Sequence, residues 1–322
     1  MKLLAAALAG TALLFLCGAL ATFFITRAIE ARYPPAGRFV AVAGGRLHAV
    51  ETAPQGREPE ATVLLLHGAS GSSGDPILAL GERLARRFRV IAVDRPGSGW
   101  SDRVGGAEAA SPATQARVIR EAMEKLGVGR AIVVGHSWSG ALALTLALDH
   151  APMVAGLVLL SPVSHPWPGG GVSWYYGPTT FPVLGRLLTW TLTTPAGLLL
   201  MRPTLAAVFA PQQPPPDYLD RSRAPLVLRP KAFRANAEDV AGLYAFVSAQ
   251  SRRYGAIRTP TVIVSGSADT IVWTSLHSRS LEREIPGARL VVLPGVGHMP
   301  HHAAPDLVAS EIEALAAEVK GK

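Results

Sequence analysis

Residues 131 to 141 read Ala-Ile-Val-Val-Gly-His-Ser-Trp-Ser-Gly-Ala, and no other stretch restricts the fold as much. Four residues of β character, Ala131 to Val134, run into small residues, and the helix formers Ala and Leu follow from Ala141 to His150. A strand, a sharp corner and a helix are expected. Gly135 and Ser139 flank Ser137 at the two positions where a strained strand-to-helix elbow needs small side chains, because larger ones would strike neighbouring backbone. In that geometry Ser137 stands exposed at the top of a sheet. Serine is also a common helix N-cap, so the stretch alone leaves both readings open. An acid, a base and an oxyanion site in the right chain order would decide between them.

The surrounding pattern supplies the sheet. A hairpin is expected from Phe39 to Thr52 about Gly44-Gly45. Thr62 to Leu66 is a continuous apolar run of the kind a strand shows when both faces are buried. A helix near Ile77 to Arg87, a strand at Arg89 to Val93 and a helix near Thr114 to Leu126 lead to the strand at 131 to 134. Such alternation predicts an α/β fold, a mainly parallel sheet flanked by helices on both sides. The run His67-Gly68-Ala69-Ser70-Gly71 follows a central strand, where a backbone N–H can point into a crevice, and Ala69 is the candidate oxyanion donor. The turn Asp94-Arg95-Pro96-Gly97-Ser98-Gly99-Trp100-Ser101 has neither a phosphate-loop lysine nor a dinucleotide fingerprint, so it is read as structural.

His67-Gly68, the Asp94 to Ser101 turn and Gly135-His136-Ser137-Trp138-Ser139-Gly140, in this order, resemble the α/β-hydrolase superfamily, in particular its esterase, lipase and carbon-carbon hydrolase branches. The resemblance covers about residues 38 to 162 and 256 to 320. One position departs from the pattern: Ser139 stands where glycine is usual, with Gly140 one place later. The resemblance implies an acid and then a histidine downstream. Asp269 lies in the loop after the apolar strand Thr261 to Ser265, and His298 lies in the Pro294 to His298 turn after Leu290 to Leu293. Ser137 is then the nucleophile, His298 the general base and acid, and Asp269 the group that orients the imidazole. Backbone N–H groups of Ala69 and Trp138 form the oxyanion hole. No cofactor and no metal are expected, because the spacing of His298, His301 and His302 matches no usual zinc motif. His67 and His136 are expected to shape their turns.

Residues 3 to 25 carry no charge. At about 1.5 Å per residue that run crosses a bilayer core of about 30 Å. Two fates compete: an uncleaved single-pass anchor, and a signal peptide cleaved near Ala21, for which Ala19-Leu20-Ala21 has the right form. The apolar run continues through Phe23, Phe24 and Ile25, which favours the anchor. Lys2 on one side and Arg27 and Arg32 on the other leave the orientation open. Cys17, the only cysteine, is read as a buried apolar side chain. The formal charge of +8 comes from scattered arginines. The one cluster, Arg83, Arg86, Arg87 and Arg89, is placed at a helix end where cations suit the dipole, so nucleic acid is not an expected partner.

These readings divide the chain into a membrane anchor or signal segment at 1–32, a first part of the core at 33–162, a helical cap at 163–255 and a second part of the core at 256–322. Within the cap, Leu184 to Leu200 and Asn236 to Arg253 are the expected helices, and its aromatic residues suggest an apolar pocket. A serine at the elbow disfavours epoxide opening and halide displacement, whose enzymes in this superfamily use a carboxylate there. The expected function is a membrane-anchored serine hydrolase cleaving a carboxylic ester of an apolar or lipid-like substrate. Hydrolysis of a carbon-carbon bond, or cofactor-free perhydrolysis, is the alternative within enzymes. A non-catalytic ligand-binding protein on the same fold is the alternative outside them.

Overall fold

The computed structural model describes residues 1–320. Its strands are β1 (Arg38–Val42), β2 (Gly45–Thr52), β3 (Thr62–Leu66), β4 (Arg89–Val93), β5 (Ala131–His136), β6 (Val154–Leu160), β7 (Thr261–Gly266) and β8 (Arg289–Leu293). They form one sheet in the order β1-β2-β4-β3-β5-β6-β7-β8. The β1–β2 hairpin turns at Gly44, whose φ of +87° suits glycine. It lies antiparallel on β4, and every other pairing is parallel. Alternate residues of a strand point to opposite faces. In β3, Leu64 and Leu66 join one buried cluster with Ile91 and Val133. Val63 and Leu65 join another with Val90 and Ile132. Both faces are covered, which is why these strands read as unbroken apolar runs rather than as alternations.

The helices are α1 (Lys2–Arg32), α2 (residues 74–84), α3 (Pro112–Lys125), α4 (Trp138–Asp149), α5 (Leu184–Phe209), α6 (Pro230–Gln250), α7 (Ser278–Glu284) and α8 (Pro305–Lys320). Ser111 caps α3 by accepting the Ala113 N–H at 3.3 Å, and Pro112 takes the first helical position, where its missing N–H costs nothing. In α4 every residue from Trp138 to Ala147 is buried, which explains its near-continuous Ala and Leu content. The arginine cluster is stabilised by pairing rather than by the helix dipole alone: Arg83 meets Asp306, Arg87 meets Glu60 and Glu313, and Arg89 meets Glu51.

Between β6 and β7 the chain leaves the alternation, and α5 and α6 lie over the end of the sheet that carries Ser137 and His298, around a shared cavity. Both helices run beyond the segments expected from sequence. Helix α5 continues to Phe209 through Pro203, and α6 starts at Pro230. The buried stripe of α6 includes Ala232, Ala235, Asn236, Asp239, Leu243 and Val247, a helical spacing. Three buried residues of α6 are polar: Asn236, Asp239 and Gln250. Asp239, fully buried, accepts Arg95 Nη1 at 2.6 Å and Arg103 Nη1 at 2.7 Å, with Gln115 Nε2 3.1 Å from each of its oxygens. The Arg95 guanidinium, also fully buried, lies 4.0 Å from the centre of the Trp138 ring. A charge removed from water is tolerable only when paired in this way.

Helix α1 does not stand apart from the folded domain. Ile29 and Tyr33 pack with Leu226 and Leu228 of the cap, Trp100 Nε1 donates to the Tyr33 carbonyl at 2.9 Å, and Arg32 pairs with Asp220 at 2.8 Å. A Cβ on Gly18 would lie 2.4 Å from the Thr191 carbonyl oxygen, so α1 and α5 touch backbone to backbone at that point. Cys17 corrects the expectation made of it: its side chain is exposed, since the neighbouring Gly18 is the residue turned to the cap. The pairing of Arg95 with Asp239 carries a stability prediction. Asp239→Ala leaves a buried guanidinium without its carboxylate and is expected to cost about 3–5 kcal/mol, read as a lowered midpoint in urea unfolding.

Candidate active site

Strand β5 delivers Ser137 at its end, and the backbone there holds φ +52° and ψ −117°. Such a conformation costs a residue other than glycine about 1–3 kcal/mol and survives only where its surroundings impose it. Here they do. A Cβ on Gly135 would lie 2.4 Å from the Ser139 carbonyl oxygen, and one on Gly140 would lie 2.4 Å from Pro162 Cβ. The Ser137 N–H donates to the Leu160 carbonyl at 3.0 Å, and its carbonyl accepts the Val163 N–H at 2.9 Å. The departure at position 139 has a physical use, since the Ser139 hydroxyl donates to the His67 carbonyl at 2.5 Å and ties the elbow to the glycine-rich turn.

Although Ser137 occupies the N-cap position of α4, its hydroxyl makes no capping bond. It lies 2.9 Å from His298 Nε2. On the far side of that ring, His298 Nδ1 lies 2.8 Å from Asp269 Oδ2. The other Asp269 oxygen accepts the N–H groups of Ile271 and Val272, each at 2.9 Å. Burial alone would push this carboxyl up, but the imidazole and the two N–H groups outweigh it and hold the pKa below its ordinary value. All three side chains are buried. Ala69 and Trp138 line the same cavity as Ser137, and a Cβ on Gly68 would sit 3.1 Å from Ser137 Cβ. Ser137, His298, Ala69 and Trp138 thus line one cavity, with Asp269 behind His298.

His67 and His136 serve the turns. His67 Nε2 accepts the Arg95 N–H at 3.1 Å, and burial followed by the charge of Arg95 pushes its pKa down to about 4. His136 Nε2 donates to the His298 carbonyl at 3.0 Å, so it supports the loop that carries the base. Asp94 organises its turn by accepting the N–H groups of Ser73 at 2.6 Å and Trp100 at 2.9 Å, with His48 Nδ1 at 2.8 Å.

Besides Asp239, two more polar groups escaped the sequence reading. One is Asn236, buried on α6. The other is Asp75 on α2, whose carboxylate lies 2.7 Å from the Tyr218 hydroxyl, 2.8 Å from His302 Nε2 and 3.2 Å from His301 Nε2. Among the described residues, Asp75, His136 and His301 offer donor atoms within 4.8 Å of one another, a spacing a metal ion could use. Both Asp75 oxygens are already engaged, while His136 Nδ1 and His301 Nδ1 are buried without a hydrogen-bond partner among the described residues. The only signal for Asn236 is its place on a buried helical stripe.

The cavity beneath the cap measures about 1320 Å³. Apart from the groups around Ser137 its walls are mainly apolar, with Leu192, Leu200, Leu205 and Val208 from α5 and Val240 and Leu243 from α6.

A profile of the family described as alpha/beta hydrolase fold matches residues 61–305. A protein of Klebsiella pneumoniae named as a carbamate hydrolase is 31% identical over 251 residues, 74% of this chain and 85% of its own. A 2-hydroxy-6-oxo-6-phenylhexa-2,4-dienoate hydrolase of Burkholderia cepacia is 30% identical, covering 74% of this chain and 81% of its own. Among solved structures, a membrane phospholipase A described as a bacterial virulence factor aligns with 100% of this chain and 98% of its own, at a TM-score of 0.63 and 23% identity.

His277, buried beside the cavity, gives the site a pH signature. Its Nδ1 accepts the N–H groups of Ser164 and His165, each at 3.2 Å, a role only the neutral ring can fill. Burial, and then the charge of His165, pushes its pKa from 6.5 down to about 4. Its folded-state pKa is depressed, so the stability it contributes is present above 6.5 and is lost as pH falls towards 4. The urea midpoint is therefore expected to drop across that window, in which His67 also titrates, and His277→Gln, which keeps an acceptor without a titrating ring, to make the drop shallower.

Proposed function

This chain belongs to the α/β-hydrolase fold family, and from that premise we propose that it is a membrane-anchored serine hydrolase cleaving a carboxylic ester of an apolar, lipid-like substrate. One observation carries the reading: a serine hydroxyl at a strained elbow, 2.9 Å from an imidazole backed by a carboxylate, faces a large apolar cavity. Ser137 attacks the acyl carbon while His298 Nε2 takes its proton. The oxyanion of the tetrahedral adduct receives the N–H groups of Ala69 and Trp138. His298 returns the proton to the leaving alkoxide, giving an acyl-serine and the free alcohol. Water, deprotonated by the same nitrogen, then releases the acid and restores Ser137. Asp269 stays ionised throughout and stabilises the imidazolium, a role to which its lowered pKa is suited.

The lipid-like substrate and the anchor are supported by how α1 and α5 are joined. Both are long and apolar enough to cross a membrane. They touch at Gly18 and Thr191, and α5 leaves Leu198, Leu199 and Leu200 exposed while Leu192, Leu200 and Leu205 line the cavity. An acyl chain leaving the bilayer beside α1 therefore meets one continuous apolar surface leading to Ser137. The likeness to a membrane phospholipase A extends over the full chain, α1 included. Carbon-carbon hydrolysis is the second reading, favoured by the Burkholderia cepacia relative, and the same three side chains would serve it.

Full-length protein in detergent is tested with a fluorescent fluorophosphonate, with p-nitrophenyl esters of increasing chain length and with a meta-cleavage dienoate. Labelling and ester turnover are expected, with Ser137→Ala losing about ten-thousand-fold or more in kcat. A preference for the dienoate over every ester would transfer the assignment to the second reading. Reconstituted in lipid vesicles, a Val183→Asp, Leu199→Asp variant, altered at two strongly exposed positions, the first just before α5 and the second within it, is expected to lose turnover of vesicle-borne lipid esters at least about tenfold while hydrolysing soluble short-chain esters as before.

A further inference from the structure

We infer that the cap is part of the oxyanion site, and that Asn236 of α6 is the positioning residue that holds the Ala69 N–H in place. The inference rests on the serine-hydrolase reading for its chemistry. The turn that carries Ala69 is not stable by its own local geometry. Ser70, the next residue, holds φ +57°, in the left-handed region that a serine seldom adopts unless something fixes it. The Ser70 N–H finds its acceptor in the cap. Asn236 Oδ1 takes that N–H at 2.6 Å, and Asn236 Nδ2 returns a bond to the Ser70 hydroxyl at 3.1 Å. The amide thus grips the backbone and the side chain of one residue together. The Tyr176 hydroxyl, another cap group, closes the cluster at 3.2 Å from Ser70 Oγ and 3.3 Å from Asn236 Nδ2. Asn236 is itself only 2% exposed, so its amide is fixed by packing and hydrogen bonds rather than by solvent.

The second oxyanion donor is held by the same helix. One turn along α6, the carbonyl of Asp239 accepts Trp138 Nε1 at 2.9 Å, while its carboxylate holds Arg95 against the face of that indole. Residues 236 and 239 therefore brace Ala69 through Ser70, and Trp138 through its ring. The helix can come this close because Gly97, at φ +86°, has no side chain; a Cβ there would lie 2.7 Å from that of Ala235. An oxyanion hole works by having its donors aimed before charge develops, and a displacement of about 1 Å in such a group can cost about a hundredfold in rate. With the cap docked, both donors are set: the peptide that carries the Ala69 N–H is held on one side by the bond from His67 Nδ1 to the Gly68 carbonyl at 2.8 Å, and without Asn236 the following peptide, with the Ser70 N–H, can relax from its strained φ and loosen Ala69 from the other side. Asn236 touches neither substrate nor reacting atoms in this scheme, and its effect is confined to the transition state.

The test uses full-length protein in detergent, as Asn236→Ala and as Asn236→Leu, the latter nearly matching the native volume so that the cap stays packed. The first measurement needs no turnover. Hydrogen exchange of the peptide spanning residues 67 to 72 is expected to quicken by about tenfold or more, while peptides from α6 and β5 keep their wild-type rates. Kinetically, kcat is expected to fall about 10- to 100-fold with KM within about twofold. Inhibition by an alkyl boronic acid, which forms a tetrahedral adduct on Ser137, is expected to weaken in proportion to kcat/KM, while the fatty-acid product binds as before. Unchanged exchange at residues 67 to 72, or a loss expressed in KM and in product binding alone, would overturn the assignment. Variants that show the expected exchange pattern, beside wild-type protein that hydrolyses neither ester nor dienoate, would refute the hydrolase reading and leave the coupling of cap and turn intact.

Discussion

Everything in this molecule is arranged around a serine whose backbone cannot relax. At φ +52° Ser137 is in a conformation that a free chain would abandon, and three separate parts of the fold prevent it from doing so. Strand β6 supplies the carbonyl of Leu160 for its N–H, the start of the insertion supplies the Val163 N–H for its carbonyl, and the packing is so close that a side chain would clash with α4 at 135 and with Pro162 at 140. The sheet must be parallel here for β5 to end beside β6 in the register that provides these partners. Its apolar faces, buried beneath helices on both sides, contribute the stability against which the strain is held.

The cap is bound to that core by electrostatics as well as by apolar contact. Arg95 and Asp239 are both without solvent, and so neither can lose the other cheaply. A charged clasp inside the protein favours one docked arrangement over a range of similar ones. The wall of the cavity, by contrast, mixes Leu, Val and Met side chains with aromatic ones such as Trp167, Tyr175 and Phe233. A charged joint therefore lies next to Ser137, and a mainly apolar lining lies farther out.

The division between what could and could not be read from the sequence follows the range of the interactions. The elbow, the turn at 67–71 and the loops holding Asp269 and His298 are local patterns, in which a strand is followed at once by small residues and one polar side chain. Each states its own position in the sheet. The convergence of Ser137, His298 and Asp269 was also legible, because parallel topology brings the carboxyl ends of β5, β7 and β8 to one edge. Asn236 and Asp239 were not legible: their partners lie 166 residues away at Ser70 and 144 away at Arg95, and no pattern within α6 names them. Cys17 was misread for a related reason. Its neighbours give no hint of which side of α1 meets the cap, and that is decided by the contact at Gly18.

One feature of α1 bears on how such a protein would meet a bilayer. The helix is unbroken from Lys2 to Arg32 and then locks onto the cap through Ile29, Tyr33 and the Arg32–Asp220 pair, with no swivel between the apolar run and the folded domain. In the proposed membrane-bound enzyme, such a rigid stem makes the height of Ser137 above the plane of the lipid a fixed dimension of the molecule. Selection among the proposed lipid substrates would then act as a ruler, choosing those whose scissile bond lies at the right depth in the bilayer rather than those with a particular headgroup.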